Sequence, residues 1–526
     1  MHTLENRSSG ANAPCWLLSM GPSTVLLDCA LTHSQLGSYV LPQLSHEDIS
    51  RIDTVLLSNH DSLLALPFVT ENSCFRGSIY ATDPTVLFGK LRLEDLVRSE
   101  PKVFDAHGAT RRCFSLEDVH SCIAKIQKVR FNELSEAGPL TLNALSSGFA
   151  LGACNWMMTY HWQKILYLST SSFHTNTHAS PINREPLKAA DFVICNNGTG
   201  THQAEATHPL ALKRSAHVLF TEISRAIETG GTVVFLSKPF GVMFDLLELV
   251  EHAFATMGAT GTVHVVSGAA KESLKVCNVL GEWMNKERQD TVFRSTLPLG
   301  HGAMMESKRL ITHSSMHTLF DHKPQLVFLD YTDLDLNSFT AFFKWRQGGR
   351  CTYILTESES AEQIGSLFKS SRTDNPFLYC PFDTRASEKE YASLIQEVDP
   401  ILGLVVPTAS LTAFNNLSVG VLGIVPPGER MNVSLDSTKR VAKIAKAIAV
   451  DAEFIPMEGR AGGVVSCAPV AGWLELGHKN ALRADDSLGG SSLKRKLVIG
   501  KVGSLERVAN AALTEASISI LFCSTH

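Results

Sequence analysis

The sequence lacks any apolar run close to the roughly 20 residues that a membrane-spanning helix requires. Its first residues, MHTLENRSSGANAP, have neither an apolar core nor an arginine-rich amphipathic pattern, so we expect no secretory signal. A large excess of positive or negative charge is also lacking, because the net charge is only -5 in 526 residues. Such a chain has no global field that attracts nucleic acid, so any RNA contact would need a local basic patch or a partner.

Paired cysteines and the common nucleotide or hydrolase motifs are missing as well. The 12 cysteines are scattered without a CxxC pair, which in a non-secreted chain predicts reduced, mostly buried thiols and a cytosolic or nuclear location. No GxGxxG pattern, Walker lysine or GxSxG elbow occurs. The glycine turn Asn196–Gly200 is therefore interpreted as a turn rather than a phosphate-binding loop.

The length and the apolar pattern predict several α/β domains. A chain of 526 residues is too long for one hydrophobic core, so two to four domains are expected. Short apolar runs alternate with amphipathic stretches, as in the predicted strand Thr232–Leu236 and the predicted helices Met243–Met257 and Ser338–Trp345. This alternation predicts an α/β sheet with right-handed crossovers. The C-terminal stretch predicts a helix at Ser504–Leu513 and a strand at Ser517–Phe522.

Two groups of polar residues could carry metal chemistry. Asn59-His60-Asp61 follows a predicted buried strand, where α/β folds place functional residues, but two ligands cannot complete a zinc site. His174 and His178 have the i, i+4 spacing of a helical metal motif. Their Ser/Thr-rich surroundings favour a loop, and no acidic residue stands nearby in the sequence. These patterns alone leave the function open.

Several segments stand in the order and spacing of a known fold. They are VLLDCA (Val25–Ala30), TVLLSNHDSLLALPFVTE (Thr54–Glu71), GSIYATDPTVLFGKLRLEDLV (Gly77–Val97), SSGFALGACNWMM (Ser146–Met158) and YCPFDTR (Tyr379–Arg385). Over roughly residues 14 to 407, the chain resembles the metallo-β-lactamase/β-CASP family of nucleases that mature RNA 3′ ends, and in particular a degenerate member. The resemblance implies an αββα metallo-β-lactamase fold, an inserted Rossmann-like β-CASP domain and a small C-terminal α/β module.

The resemblance also implies the domain boundaries. The first part of the metallo-β-lactamase-like domain is expected at 1–205 and the β-CASP domain at 206–375. A return segment at 376–430 would complete the first domain, and 431–526 would form the C-terminal region.

Active family members hold two zinc ions about 3.5–4 Å apart with clustered His and Asp. The resemblance places the first of these clusters on Ser58 to Ser62, where the segment is shorter than in active members. Asn59 is then no metal ligand, and only His60 and Asp61 could bind a metal. Asp28 is retained and is expected to orient its neighbours. The remaining ligand positions fall on Phe149, Ser171, Asn196, Arg385 and Pro407. Since these residues are poor or impossible ligands, we expect no catalytic residue, no metal site, no cofactor and no enzyme activity.

By the same resemblance, the chain would be a nuclear scaffold subunit that contacts RNA only indirectly. It would form a heterodimer with an active endonuclease paralogue and contact a helical-repeat scaffold subunit, for small nuclear RNA 3′-end processing and nascent transcript cleavage. C-terminal modules extend a shared sheet in such heterodimers, which predicts interface residues Leu505, Val508, Leu513, Ile518 and Ile520. Because the sequence ends at His526, we expect pairing to need either a longer C-terminus or the β-CASP face.

Two alternatives remain open. The chain could be the related inactive scaffold subunit of the cleavage and polyadenylation machinery. It could also be a metal-dependent hydrolase with an unorthodox site made of His60, Asp61, His174 and His178.

Overall fold

The computed structural model describes most of residues 2–433 and, beyond them, only separate strands. The gaps before residue 433 fall at 11–12, 36, 162, 197–208, 295, 320–324, 333–341, 343–350, 358–360, 371–374, 383, 401 and 407–420. Residues 1–433 form one compact unit and 434–526 a second. Pro407 lies outside the described residues. So does the helix predicted at Ser338–Trp345, apart from Phe342.

Two seven-stranded sheets form the first part of the larger unit. In the first sheet, a strand from the end of the unit pairs antiparallel with the first strand of the chain. The strand order of this sheet is Ile126–Val129, Ser78–Thr82, Thr54–Leu56, Ser23–Leu27, Trp16–Met20, His2–Asn6 and Arg430–Val433. The order of the second is Leu134–Ala137, Leu140–Ser146, Cys154–Tyr160, Gln163–Leu168, Phe192–Cys195, Gly403–Val406 and Val421–Ile424. A small four-stranded sheet adds Thr32–Gln35, Ser38–Val40, Lys102–Phe104 and Thr110–Arg111.

The two large sheets face each other, and each carries helices on its other side. Across the interface, the Trp156 indole nitrogen donates to the carbonyl oxygen of Leu57 at 3.1 Å. Leu26 and Val55 on the outer face of the first sheet pack with Leu93 and other helix residues in one apolar cluster. A second cluster joins the outer face of the second sheet to the helix Glu388–Val398. The predicted αββα layering is thus confirmed.

Helix ends in this part follow the local sequence. Ser45, Ser115 and Ser387 each accept a hydrogen bond from the third helical amide, while an acidic residue there bonds back to the cap, which forms a capping box. Pro84 occupies the first turn of the helix Asp83–Arg98, where its missing N–H costs nothing. The helices of the two layers are His46–Arg51, Leu66–Thr70, Asp83–Arg98, Leu116–Ala124, Arg184–Leu187 and Glu388–Val398.

A six-stranded sheet is inserted between Cys195 and Glu388. All its strand pairs are parallel, in the order Leu310–His313, Val263–Val266, Leu326–Leu329, Thr232–Leu236, Cys351–Leu355 and Phe377–Tyr379. Continuous β-branched and apolar runs suit such strands, because both faces are covered. The helices are Pro209–Thr229, Val242–Met257, Ala270–Val279, Lys286–Phe293, His301–Glu306, Met316–Leu319 and Ala361–Ser370, with a 3₁₀ turn at Gly281–Trp283. This arrangement confirms the predicted Rossmann-like insertion.

The inserted sheet shares its core with the first part. Phe88 and Leu151, which precede the insertion, belong to the same apolar cluster as Phe240 and Phe244. The strand Phe377–Tyr379 also belongs to the inserted sheet, since it pairs with Cys351–Leu355. The boundary predicted at 375/376 therefore falls too early by this strand, and the other domain boundaries stay predictions.

In the second unit, the described residues are strands. One sheet has the order Arg495–Leu497, Gly472–Glu475, Ala481–Arg483, Arg440–Ile444, Ser517–Phe522 and Gly503–Arg507, and a separate pair joins Ile455–Glu458 to Val464–Cys467. The helix predicted at Ser504–Leu513 is wrong over its first residues, because Gly503–Arg507 pairs antiparallel with Ser517–Phe522 along its length. This tertiary pairing overrides the helical pattern. The strand predicted at Ser517–Phe522 is confirmed.

Within the described part of the chain, no helix combines the length and the apolar character that a bilayer crossing needs. The ten cysteines of the first unit are free, and most are buried. Burial raises the pKa of the Cys122 thiol to about 12. The prediction of mostly buried thiols is confirmed for these residues.

Candidate functional site

A buried carboxylate, Asp28, anchors the loop that follows the neighbouring strand. It comes directly after the strand Ser23–Leu27 with φ of 58°, a left-handed conformation that aspartate tolerates better than most residues. One carboxylate oxygen accepts from the Ser58 amide at 2.7 Å. The other accepts from the Ser58 hydroxyl at 2.7 Å and the Tyr167 hydroxyl at 2.8 Å. Burial raises the pKa of Asp28 to about 6, although these hydrogen bonds oppose the rise.

The loop from Ser58 to Ser62 uses its polar atoms to hold its own shape. The Asn59 side-chain oxygen accepts from the amides of Asp61 at 3.0 Å and Ser62 at 3.1 Å, as in an Asx turn. The Ser62 hydroxyl donates to the Asn59 carbonyl oxygen at 2.8 Å and accepts from the Ser58 and Asn59 amides. Asn59 therefore acts on the backbone of the loop.

His60 and Asp61 both contact the inserted part of the chain. The His60 ring is buried, with its centroid 5.4 Å from that of Phe240 and 6.3 Å from that of Phe88. Burial lowers the pKa of His60, which favours a neutral imidazole. An Asp61 carboxylate oxygen lies 3.2 Å from the ammonium nitrogen of Lys238. Burial would raise the pKa of Asp61, but the nearby positive charges, with that of Lys238 the largest, together outweigh burial and hold this pKa well below its usual range.

The other predicted ligand positions lie around the same loop or in the sheet beside it. The buried Ser171 hydroxyl donates to the Ser169 carbonyl oxygen at 3.0 Å and the Asn155 side-chain oxygen at 3.2 Å. Asn196 follows the strand Phe192–Cys195, and its amide donates to the Leu168 carbonyl oxygen at 2.8 Å. Ser171 and Asn196 are thus built into the backbone network of the second sheet.

A cavity of about 210 Å³ is lined by four of the predicted ligand positions, namely Asn59, Asp61, Phe149 and Arg385. Two cationic side chains that sequence reasoning missed, Arg92 and Lys238, also line it. A signal existed for Lys238, because it stands just after a parallel strand, at the edge where α/β folds build sites. Arg92 had no such signal, since it lies inside the helix Asp83–Arg98.

His174 and His178 lie in a loop, as predicted, and not on a helix face. The ring nitrogen Nδ1 of His178 lies 2.7 Å from a carboxylate oxygen of Asp245. The expectation that no acidic partner stands near these histidines is therefore wrong for His178, because Asp245 is close only in the folded chain. In the described residues, no group of three or more His, Cys, Asp and Glu is arranged to hold a metal ion.

Comparison with known proteins gives the family. Residues 17–184 match the metallo-beta-lactamase superfamily domain. The human protein "Integrator complex subunit 9" is 28% identical over 426 residues, which cover 74% of this chain and 64% of the human protein. An "Integrator complex subunit 9 homolog" from Nematostella vectensis is 30% identical over 444 residues, 75% of this chain and 66% of that protein.

The chain is a homologue of Integrator complex subunit 9. This confirms the resemblance stated from the sequence segments. The matched part spans about two thirds of the length of these relatives. "Endoribonuclease YSH1" from Candida albicans is a more distant relative, 24% identical over 280 residues, 52% of this chain and 32% of that protein.

The two-zinc site of active family members does not fit the residues found here. Phe149 has no side-chain donor for a metal, and the Ser171 hydroxyl is held by two hydrogen bonds. The carboxylate oxygens of Asp28 accept three hydrogen bonds, and Asp61 already has a cation beside it in Lys238. The positive charge beside Asp61 in this structure is that of the Lys238 side chain.

Proposed function

We propose that this chain is a non-catalytic subunit of an Integrator RNA-cleavage module in the nucleus. The observation that carries the proposal is the composition of the candidate site in a homologue of Integrator complex subunit 9. Three positions expected to bind zinc have unsuitable side chains. Phe149 is apolar, the Ser171 hydroxyl is held in hydrogen bonds, and Arg385 is cationic.

The absence of catalysis follows from the chemistry of these side chains. Hydrolysis by this fold requires metal ions that lower the pKa of a bound water. A phenylalanine cannot donate electrons to a metal, and a guanidinium repels it. His60 and Asp61 alone leave a zinc ion short of the three or four protein ligands that such sites use.

We further propose that the subunit works by pairing with the active endonuclease subunit and with a helical-repeat scaffold subunit. The processes served would be small nuclear RNA 3′-end processing and nascent transcript cleavage. The strands Gly503–Arg507 and Ser517–Phe522, which pair with each other, carry Leu505, Ile518 and Ile520 of the interface predicted from sequence. Val508 and Leu513 lie outside the described residues.

Affinity purification of the tagged full chain from nuclear extract, with identification of the bound proteins, tests the assembly. We expect the Integrator endonuclease subunit and a helical-repeat subunit to co-purify. A chain ending at Val433, where the first compact unit ends, should lose the endonuclease subunit. Polyadenylation factors recovered without Integrator subunits would contradict the proposal and favour the other scaffold. Retention of the endonuclease by the shorter chain would move the interface to the β-CASP face.

Elemental analysis and an RNA cleavage assay of the purified full chain test the inactivity. We expect far less than one zinc ion per chain and no cleavage with zinc added. The double variant His60→Ala, Asp61→Ala is the matched comparison. Near-stoichiometric zinc in the wild type that disappears in this variant would restore the hydrolase alternative.

A further inference from the structure

The cavity at the vacated metal positions has an excess of positive charge. Its charged lining consists of Arg92, Lys238 and Arg385 against a single carboxylate, Asp61, with His33 as a further titratable side chain. The cations come from three separate segments: a helix of the first part, the end of an inserted strand and the segment after the insertion. Because the Asp330 carboxylate lies beside Arg92, these three cations and two carboxylates leave a formal charge of about +1.

Two of these cations are held in place by the fold. The Arg92 side chain is 2% exposed, with Nη2 2.7 Å from the Thr332 hydroxyl and Nη1 3.6 Å from a carboxylate oxygen of Asp330. Lys238 is fixed beside Asp61 at 3.2 Å. Because these groups are ordered before any ligand arrives, binding does not have to restrict their side chains.

Solvent reaches the cavity through the same residues. The Asp61 side chain keeps 33% of its accessible surface and the Lys238 side chain 20%. A ligand can therefore reach the ammonium group of Lys238 without local unfolding. The volume of about 210 Å³ is smaller than the roughly 300–1,000 Å³ of sites that enclose whole drug-sized molecules. The cavity suits a single small anionic group.

We propose that this cavity binds one phosphate group, as inorganic phosphate or as the end of a phosphomonoester, through Lys238, Arg385 and Arg92 without metal. A guanidinium offers a fork of N–H donors that matches phosphate oxygens, and an ammonium supplies a compact charge. A phosphate that carries one negative charge would balance the lining. Asp61 would share Lys238 with the phosphate, which limits the affinity. The inference does not depend on assembly with other subunits.

Isothermal titration of the purified full chain with inorganic phosphate, at ionic strength held constant with chloride, tests this site. A nucleoside 5′-monophosphate and the same nucleoside without phosphate form the second and third arms. We expect saturable binding of both phosphate probes and none of the nucleoside. Tighter binding of the monophosphate would identify a phosphomonoester end as the ligand, and equal binding would identify free phosphate.

Variants locate the binding. Lys238→Gln and Arg385→Gln should each weaken phosphate binding at least tenfold, whereas Lys238→Arg should retain most of it. Lys275→Gln, an exposed lysine on the inserted helix Ala270–Val279, is the matched control and should bind as the wild type does. Circular dichroism checks that each variant is folded. If Lys238→Gln does not fold, the phosphate affinity of Arg385→Gln decides the test. No saturable binding of either phosphate probe, or unchanged affinity in Arg385→Gln, would overturn the proposal.

Discussion

Replacing Asp28 separates the hydrogen-bonding role of its side chain from its charge. In Asp28→Asn the amide oxygen can still accept from the Ser58 amide, and the amide nitrogen can donate to the hydroxyls of Ser58 and Tyr167, which turn to accept. In Asp28→Ala these groups lose their acceptor, and alanine must adopt a φ of 58°. Buried groups without a partner cost about 1–3 kcal/mol each, and the left-handed backbone adds about 1–2 kcal/mol.

The charge has an opposite effect, which pH reveals. Burial raises the pKa of Asp28 to about 6, whereas in the unfolded chain it is about 3.9. Between these values the folded state binds more protons, so this group makes the protein more stable as pH falls. The ionised form costs on the order of 3 kcal/mol at neutral pH, and lowering the pH from 8 to 5 recovers about 1.4 kcal/mol. Asparagine at this position removes the dependence.

Urea unfolding of the first compact unit, followed by pulse proteolysis at pH 8 and pH 5, measures both effects. We expect Asp28→Asn to be at least as stable as the wild type at pH 8. Asp28→Ala should be less stable by about 1–8 kcal/mol, because three donors without a partner and the left-handed backbone cost about 4–11 kcal/mol and removal of the buried charge recovers about 3 kcal/mol. The stability difference between the wild type and Asp28→Asn should shrink by about 1.4 kcal/mol at pH 5. Asp53→Asn, an exposed carboxylate at the start of the neighbouring strand, serves as control. Parallel pH profiles of the wild type and Asp28→Asn, or equal destabilisation by Asn and Ala, would refute the reasoning.

Two further variants and a labelling experiment test the packing around the site. Gly152→Ala should destabilise the chain by more than about 2 kcal/mol, because φ is +76° and a Cβ there would lie 2.6 Å from the Thr82 hydroxyl oxygen. Gly108→Ala is the control, because φ is +81° and a Cβ there would have no atom within 4 Å, so it should show only the backbone cost of about 1–2 kcal/mol. Equal shifts of the melting temperature in the two variants would contradict a steric clash at Gly152. Iodoacetamide should label the exposed Cys74 first and leave Cys122 unmodified in the native chain, because burial raises the pKa of the Cys122 thiol to about 12. Peptide mapping checks the order, and early labelling of Cys122 would show that its helix opens.

Much of the fold could be predicted because the local pattern and the tertiary environment agree. The run at Thr232–Leu236 is apolar after its first residue, and the strand found there is buried on both faces. The helix predicted at Met243–Met257 begins one residue earlier, after Gly241. The helix predicted at Ser504–Leu513 was wrong where it overlaps Gly503–Arg507, because antiparallel pairing with the next strand, Ser517–Phe522, decides the conformation there.

What the sequence by itself determined is the chemistry that this chain lacks. Phenylalanine at 149 and the arginine cation at 385 offer no donor to a metal in any conformation, and the serine hydroxyl at 171 is a poor ligand. The tertiary structure decided what stands there instead. Lys238 is separated from Asp61 by 177 positions, yet folding of the inserted sheet against the first part places their charges 3.2 Å apart. Such contacts depend on how distant segments pack, and no local pattern contains that information.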